Sequence, residues 1–536
     1  MAMALQSSTD NIPTLNIVIQ IVGTLGDIKP FLAYARELAS VRHRVRVATH
    51  KTFQKLVIDN ELEFFPLAGD PEQLMKYMVE NGGIYPSVSS FMKGDVSKNE
   101  NTVHEILRTT WYACIADDEK TGLPFTADVI IANPPSFGHI HCAEKLGIPL
   151  HIVFTMPWTA TRKFPHPFKQ SQRVGTSSSR SNRGTYAAIE QITWIGISRV
   201  VNHFRKNVLE LSPLEDDQAL SMMKDVPHTY CWSPSLVPKP HDWGPHIDVC
   251  GYFFHSSASN YHPSRALLHF LEGSSRPLYI GFGSIIGHDR SRLFEIVRDA
   301  LEETKRRAVV CKKLTAGYDP LPLCMFPIDN CPHDWLFQHV DGVCHHGGAG
   351  TTATGLRAGL PTIVTAFFGD QFFWGNVVQD MGAGPPPLSG RNLRKRDLIK
   401  AIKFITNNQE VRENARRISE QIQAEQGCKA AIHSFHRQLP VDKMHSDLES
   451  TYAACYYIAR YNIRISWPVA QVLLVAKKIT QSQLKPWSTR EWNFANSESH
   501  PKSSHFRIPT EEIPYSREQR LQIVNNFDLI INRARE

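Results

Sequence analysis

The feature that most constrains the fold of this chain is a glycine-rich turn near residue 350. The apolar residues Val343 and Cys344 precede two histidines, and glycine then occupies positions 347, 348 and 350. Thr351 follows, where a helix can start. Glycines let the backbone approach a bound group closely, and the free N–H groups at a helix N-terminus attract phosphate. This strand-turn-helix pattern predicts an α/β sheet that binds a nucleotide diphosphate.

A second group of polar residues follows the next apolar run. Residues 361–365 predict a buried strand, and Asp370 and Gln371 come soon after it. Ligands of open α/β sheets bind at the carboxyl ends of the strands. A carboxylate and a carboxamide at that edge can exchange hydrogen bonds with hydroxyl groups, so we expect these two side chains to hold a sugar.

Four segments of this region resemble one family. PHDWLF at 332–337, HHGGAGTT at 345–352, LRAGLPT at 356–362 and FFGDQFFW at 367–374 are similar to the nucleotide-sugar site of GT-B glycosyltransferases, and most of all to that of sterol 3-beta-glucosyltransferases. The resemblance extends over roughly residues 15–425. It implies an α/β protein of the GT-B fold, in which two Rossmann-like doubly wound domains face a central cleft, with UDP-glucose as co-substrate.

The same resemblance implies a set of donor-binding residues. His346 and the turn after it would face the diphosphate, Asp370 and Gln371 would hold the sugar, and PLYIGFGSI at 277–285 would pass close to the nucleotide. The implied donor-binding residues are Thr24, Ser284, Cys331, His333, His346, Gly348, Ala349, Gly350, Thr351, Asp370 and Gln371.

Composition and spacing argue against other classes of protein. The 536 residues carry a net charge of +7 without a basic face interleaved with aromatics, so we expect no nucleic-acid partner. Ten cysteines lack paired Cys-x-x-Cys spacing, as is typical of reduced thiols in the cytosol. The histidines and cysteines between 331 and 346 fit no zinc pattern, and no Asp-x-Asp motif occurs, so we expect no metal. Without a signal segment or a run of about 18 apolar residues, the chain is expected to be cytoplasmic.

The N-terminal half opens with a βαβ pattern. Residues 16–22 predict a buried strand, 23–30 a loop whose proline suits the first turn of a helix, 31–40 that helix, and 44–49 the second strand. A nicotinamide dehydrogenase would need the full G-x-G-x-x-G fingerprint and an acidic residue after the second strand. Gly23-x-x-Gly26 and Thr49-His50 meet neither requirement.

Asp27 is the candidate catalytic residue of this half. Its position allows two interpretations: a general base for an acceptor hydroxyl, or a first-turn residue that stabilises a helix N-terminus. The loop resembles the family pattern G-[ST]-R-G-D-[VI]-x-P, whose aspartate is the candidate base. The pattern has arginine where this chain has Leu25. A cation that would contact the donor is therefore missing at that position.

Two further segments bear on the acceptor. Phe154–Thr159 contains the candidate acceptor-binding residues Met156 and Trp158, which suit an apolar polycyclic alcohol but are also compatible with ordinary packing. A basic loop, 162–183, precedes an amphipathic helix over 187–211. Such a helix can contact a membrane peripherally, or can supply core side chains only.

These observations predict a domain organisation and a function. The expected ranges are a flexible N-terminus (1–14), an acceptor-binding domain (15–237), a linker (238–277), a nucleotide-sugar-binding domain (278–436) and an extension of unknown role (437–536). The expected activity is inverting, metal-independent transfer of glucose from UDP-glucose to a sterol hydroxyl, without a cofactor. Two alternatives remain: transfer to another terpenoid or lipophilic alcohol, and non-catalytic binding of a lipid or nucleotide sugar.

Overall fold

The computed structural model describes residues 11–71, 95–169, 179–255, 261–273, 275–283, 290–329, 331–492 and 513–533. Within these ranges the chain forms two parallel β-sheets, of seven and six strands, and an antiparallel sheet of three strands. The two parallel sheets account for the predicted α/β class. The antiparallel sheet lies in the C-terminal extension.

The first sheet is built from apolar runs that are buried on both faces. Val18 packs into one hydrophobic cluster, whereas Ile17 and Ile19 pack into another on the opposite face. This is the pattern of a parallel sheet covered by helices on both sides. The strand order is β3-β2-β1-β4-β5-β6-β7. The strands are β1 (Asn16–Gln20), β2 (Arg44–His50), β3 (Glu63–Leu67), β4 (Val129–Ala132), β5 (Leu150–Phe154), β6 (His228–Tyr230) and β7 (Ile247–Val249). The helices are α1 (Leu25–Ser40), α2 (Gln54–Ile58), α3 (Asp95–Ile115), α4 (His139–Leu146), α5 (Ser179–Asn207) and α6 (Asp216–Ser221).

Helix α1 begins earlier than the sequence pattern predicted. The predicted start was Phe31, with Pro30 in the first turn, but the helix runs from Leu25 and contains Pro30. Thr24 occupies the N-cap position and donates its N–H to Asp27, so this contact determines where the helix starts. Pro30 is tolerated because its missing N–H leaves only the Gly26 carbonyl without a helical partner.

The second sheet has the same design. Its order is β10-β9-β8-β11-β12-β13. Consecutive residues of β8 again pack into different clusters, Ile280 on one face of the sheet and Tyr279 on the other. The strands are β8 (Leu278–Gly281), β9 (Ala308–Cys311), β10 (Met325–Ile328), β11 (Val343–His345), β12 (Thr362–Ala366) and β13 (Leu388–Ser389). The helices are α7 (Arg265–Leu271), α8 (Arg290–Thr304), α9 (Lys312–Thr315), α10 (His333–Leu336), α11 (Ala349–Arg357), α12 (Gln371–Asp380), α13 (Lys395–Asn407), α14 (Gln409–Ala424) and α15 (Gly427–Arg437).

The switch points of the two sheets meet at one place. β1 lies between β2 and β4, and β8 lies between β9 and β11, so each sheet reverses its strand order beside its first strand. Ligands of doubly wound sheets bind at such points, beyond the carboxyl ends of the strands. Helix α1 follows β1 and helix α11 follows β11. The Gly26 carbonyl oxygen lies 3.9 Å from the point where a Cβ on Gly350 would stand, so the two helix starts approach each other closely where the two domains meet and border one cleft.

Two parts of the chain join the sheets in ways that the predicted ranges did not anticipate. The range 238–277, expected as a linker, contains β7 of the first sheet and α7, whose Leu267 packs beside Tyr279 of the second. Helix α15 falls largely in the predicted range 278–436, yet Ala431 and Phe435 pack into the core around α1. Apolar contacts, rather than order along the chain, decide which sheet these segments join.

The described part of the extension 437–536 is folded against the first domain. Its elements are α16 (Val441–Met444), β14 (Ala454–Ile458), β15 (Ile463–Ser466), α17 (Trp467–Val475), β16 (Lys485–Pro486) and α18 (Arg517–Arg533), with a hydrophobic cluster of their own. The Trp492 indole N–H donates to the Ile148 carbonyl at 2.9 Å. The N–H of Thr14, in the range predicted as flexible, donates to the Thr451 carbonyl at 2.7 Å.

The predicted amphipathic helix corresponds to α5. Trp194 and Phe204 are buried, whereas Ile192 is 47% exposed and Ile195 is 71% exposed. The helix therefore supplies core side chains and also displays an apolar surface. Residues 170–178 of the predicted basic loop lie outside the described residues. None of the described helices combines the length and apolarity that a bilayer span requires.

Candidate active site

Asp27 lies half-buried in the first turn of α1, beside the cleft. Its Oδ2 accepts hydrogen bonds from the Thr24 N–H at 2.8 Å and from the Thr24 hydroxyl at 3.1 Å. A Cβ on Gly23 would stand 2.5 Å from the same oxygen, so the turn requires glycine there. Asp27 thus has the position that a helix-stabilising residue would have. Because Oδ2 accepts both hydrogen bonds, Oδ1 can still act as a catalytic base.

The loop that carries Asp27 is held by two neighbouring strand ends. Asn133, after β4, accepts from the Val22 N–H at 3.1 Å and donates to the Val22 carbonyl at 2.8 Å. His50, at the end of β2, accepts from the Gly23 N–H through Nε2 at 3.3 Å. The start of α1 is therefore fixed relative to the edge of the first sheet.

Asp370 lies across the cleft from Asp27, and the charges of the two carboxylates interact. Burial raises the pKa of Asp27, although hydrogen bonds from Thr24 oppose the shift. Burial also raises the pKa of Asp370 to about 6; the hydrogen bond from Trp374 opposes this rise and the charge of Asp27 adds to it. The Trp374 Nε1–H donates to Asp370 Oδ2 at 2.8 Å. The negative charge of Asp27 therefore adds to the effect of burial on Asp370.

The glycine-rich turn places uncapped N–H groups on the second wall of the cleft. Gly347 has φ +89°, and a Cβ there would stand 2.5 Å from a methyl of Val364. Gly348 is the N-cap of α11, and no side chain caps it. The Thr352 N–H donates to the Gly348 carbonyl at 3.0 Å, so the preceding N–H groups of the first turn lack helical acceptors. Such a helix start binds anions.

Gly350 and Thr351 leave room beside this turn. A Cβ on Gly350 would meet no described atom closer than the Gly26 carbonyl oxygen at 3.9 Å. The hydroxyls of Thr352 and Thr354 return to backbone carbonyls of their own helix, at 3.0 and 2.9 Å. Thr351 forms no such bond with a described residue. The start of α11 therefore presents N–H groups without helical acceptors beside the point where the two helices approach each other.

Burial lowers the pKa of both histidines of the turn, which differ in position. His345 is fully buried, and its Nδ1 accepts from the Gly347 N–H at 3.0 Å, so it shapes the turn. The ring of His346 packs between Gly283 and Gly348, where added Cβ atoms would stand 2.9 and 2.6 Å from it. Burial lowers the pKa of His346 to about 4. A neutral imidazole can still donate one N–H to a ligand.

His333 and Cys331 lie beside this wall. His333 Nε2 is 3.0 Å from the Tyr279 hydroxyl, and its ring stacks on Phe337 with centroids 4.8 Å apart. Burial, then the charge of Lys29, lowers the pKa of His333 to about 4. Cys331 is half-buried, and burial raises its pKa.

The remaining predicted residues have structural contacts of their own. Gln371 Oε1 accepts from the Phe367 N–H at 2.7 Å and the Phe368 N–H at 3.2 Å, so half of its amide holds the loop. Met156 is buried within an aromatic cluster. Trp158 packs edge-on against Phe168, with ring centroids 5.9 Å apart.

The structure thus brings most of the predicted site residues to one cleft. Phe168 lies 3.7 Å from the point where a Cβ on Gly369 would stand, which connects the aromatic cluster to the loop of Asp370. Thr24 and Asp27 are on one wall, and His333, His346, the α11 start and Asp370 are on the other. Ser284 lies outside the described residues. The roles assigned to these side chains remain predictions.

Both halves of the chain match known protein families. Residues 17–165 match the glycosyltransferase family 28 N-terminal domain, and residues 309–433 match the erythromycin biosynthesis protein CIII-like C-terminal domain. Two sterol 3-beta-glucosyltransferases of Arabidopsis thaliana, UGT80B1 and UGT80A2, are each 42% identical over 441 residues. The alignments cover 82% and 81% of this chain and 70% and 67% of the relatives. This chain belongs to the sterol 3-beta-glucosyltransferase family.

Membership confirms that the chain is a glycosyltransferase enzyme. A sterol 3-beta-glucosyltransferase of Komagataella phaffii is 37% identical over 448 residues, which are 81% of this chain and 35% of that protein. Among solved structures, the glycosyltransferase of kitacinnamycin has a TM-score of 0.58 at 17% identity, over 80% of this chain and all of that one. The calicheamicin glycosyltransferase CalG4 has a TM-score of 0.53 at 15% identity, over 79% and 98%. These likenesses confirm the predicted GT-B fold.

Three residues of this family member's cleft were missed in the sequence. Trp374 lies four residues after Asp370, a spacing at which helical side chains meet. Lys29 has the same spacing from Leu25, and Tyr279 lies in the segment at 277–285 already noted. The four-residue spacing could have pointed to Trp374 and Lys29 in the sequence. No group of three or more candidate metal ligands occurs among the described residues.

The hydrogen bond between Trp374 and Asp370 makes the titration of this carboxyl measurable. With 5-fluorotryptophan in place of tryptophan, we expect the ¹⁹F signal of Trp374 to change with a midpoint near pH 6, since Asp370 is ionised only above its raised pKa. Asp27→Asn should move the midpoint to lower pH because it removes a neighbouring negative charge. Trp374→Phe assigns the signal. Equal midpoints in the two proteins would show that the carboxylates do not interact.

Proposed function

We propose that this chain transfers glucose from UDP-glucose to the hydroxyl of a sterol, with inversion and without a metal ion. The observation that carries the proposal is the placement of Asp27 opposite the uncapped start of α11 and Asp370. A base, an anion-binding site and a sugar-binding carboxylate then border one space. The names of the Arabidopsis and yeast relatives support the sterol and the glucose.

In this proposal Asp27 is the general base. Thr24 holds Oδ2, so Oδ1 accepts the proton of the acceptor hydroxyl. The raised pKa of Asp27 makes its carboxylate a stronger base than one in water. The acceptor oxygen then bonds to the anomeric carbon as the bond from that carbon to the diphosphate breaks. A single displacement of this kind inverts the configuration.

The leaving diphosphate collects the electron pair of the broken bond. The N–H groups at the start of α11 and the neutral His346 stabilise this charge where it develops. The leaving group is already a good anion, unlike the alkoxide that a glycosidase must protonate. No general acid is therefore required. The amide NH₂ of Gln371 and the Asp370 carboxylate bind sugar hydroxyls.

The aromatic cluster around Trp158 forms the acceptor side. Trp158 and Phe168 are partly buried, and Phe168 reaches the Asp370 loop. Aromatic side chains stabilise apolar polycyclic ligands through their large contact area. A sterol that packs here would present its hydroxyl toward Asp27.

The decisive assay uses the purified chain with UDP-glucose in the presence of a chelator. Ergosterol is offered beside a panel of terpenoid alcohols, and products are identified by mass and anomeric configuration. A β-glucoside of the sterol is the expected product. If only a terpenoid alcohol reacts, the acceptor is that alcohol and the assignment to a sterol is wrong. Dependence on added metal, or an α-glucoside, would contradict the mechanism.

We also propose that the protein is cytoplasmic and contacts membranes through α5. Ile192 and Ile195 are exposed, and Arg199, which has 86% of its side chain exposed and lies 3.8 Å from the Glu100 carboxylate, is one turn further along. Apolar residues beside cations suit an anionic bilayer, although Glu190 lies on the same helix. We expect Ile192→Ser with Ile195→Ser to reduce cosedimentation with phosphatidylserine vesicles by about tenfold or more. Leu323→Ser removes an equally apolar, 98% exposed side chain elsewhere and should change nothing.

A further inference from the structure

The first wall of the cleft lacks the cation that the family pattern places at position 25. Leu25 is the first residue of α1 and is 44% exposed. A diphosphate at the start of α11 would therefore meet a leucine from this side. An enzyme that binds UDP-glucose would lose a charge-assisted contact unless another residue supplies it.

Lys29 is placed to supply this charge. It lies four residues after Leu25 in the same helix, so the two side chains share a face. Helical side chains lean toward the N-terminus, which directs the Lys29 stem back over the first turn. That turn is the part of α1 that reaches α11, since the Gly26 carbonyl oxygen lies 3.9 Å from the Cβ position of Gly350. A lysine stem is long enough to extend from there into the cleft.

Lys29 shares its surroundings with the Asp334 carboxylate, which acts on the same histidines but forms no ion pair with it. The Lys29 side chain is half-buried, and none of the ion pairs or hydrogen bonds between described residues involves its ammonium group. The charge of Lys29 acts on two histidines: burial, then Lys29, lowers the pKa of both His333 and His255, and the Asp334 carboxylate opposes the shift in both. His333 belongs to the opposite wall, so the positive charge of Lys29 acts across the cleft. A half-buried cation beside neutral histidines favours an anion in the intervening space.

We propose that Lys29 binds the diphosphate of the donor, in the role that the family pattern gives to an arginine at position 25. This inference rests on the proposed use of a nucleotide sugar. The lysine ammonium acts as a point charge that can follow the phosphate, whereas arginine would make a planar, two-pronged contact. The diphosphate is then held between Lys29 on one domain and the α11 N–H groups on the other.

The test compares UDP with uridine by titration calorimetry, because only UDP carries the phosphates. In Lys29→Gln the affinity for UDP should fall by about tenfold to a hundredfold, as expected for the loss of a hydrogen bond between charged groups. The affinity for uridine should be unchanged. Lys224→Gln removes an exposed lysine outside the cleft and serves as the matched control.

A second variant separates charge from structure. Leu25→Arg in the Lys29→Gln background should restore most of the affinity for UDP, a result that a merely structural role of Lys29 would not give. Equal binding of UDP by the wild type and Lys29→Gln would overturn the inference and leave the proposed function intact. If the wild type binds neither UDP nor uridine, the proposed function itself fails, and the inference fails with it.

Discussion

Replacing Asp27 with asparagine is expected to lower kcat by about a hundredfold to ten-thousandfold, the usual contribution of a general base. Asparagine keeps an oxygen that can accept from the Thr24 N–H, so the start of α1 is preserved. It cannot take a proton from the acceptor hydroxyl. The affinity for UDP should remain, because no predicted contact with the diphosphate involves Asp27.

The measurement combines steady-state kinetics with UDP titration and thermal unfolding. Asp27→Ala removes both the base and the hydrogen bond with Thr24. It should therefore lower kcat as much as Asp27→Asn does, and should also lower the melting temperature. The difference between the two variants isolates the structural part. Unchanged turnover in Asp27→Asn would assign Asp27 to the helix alone. If the wild type itself has no turnover but binds UDP, the chain is a binder of the same fold.

Alanine at two of the three glycines near the α11 start, Gly347 and Gly350, should have different effects on stability. Gly350 has room for a Cβ and lies within the helix, so Gly350→Ala should leave the fold intact or stabilise it by about 0.5–1 kcal/mol. Gly347→Ala should reduce the free energy of unfolding by about 2–4 kcal/mol, because its φ of +89° and the 2.5 Å approach to Val364 exclude a methyl group.

The glycine substitutions should affect UDP binding differently from the free energy of unfolding. The methyl group of Gly350→Ala occupies the space beside the helix start, so it should weaken UDP binding by about tenfold or more although the protein is no less stable. Gly359→Ala is the control, since Gly359 has φ +71° and lies at the far end of α11. It should lose stability but bind UDP normally when folded. Full UDP affinity in Gly350→Ala would place the diphosphate elsewhere.

The sequence was sufficient for the sheets and for one wall of the site. Apolar runs such as 16–22 and 361–365 correspond to β1 and β12, because strands buried on both faces must be apolar throughout. Gly347 and Gly348 marked the start of α11, because a turn with positive φ and close packing tolerates little else. These are local requirements, which single residues reveal.

The start of α1 shows where local signals misled. Proline is common in a first helical turn, but the contact between Thr24 and Asp27 starts the helix at Leu25. Both interpretations of Asp27 also persist, because the same carboxylate stabilises the helix and borders the cleft. A sequence pattern does not show which oxygen of a carboxylate is already occupied.

Contacts between distant parts of the chain were decided only by the tertiary structure. The packing of α15 on α1, the fold of the extension against Gly147 and Ile148, and the approach of Gly26 to Gly350 join residues far apart in sequence. The same packing brings the charge of Lys29 to His333 and that of Asp27 to Asp370. Burial and charge act through space, so the raised pKa of Asp370 could not follow from residue order alone.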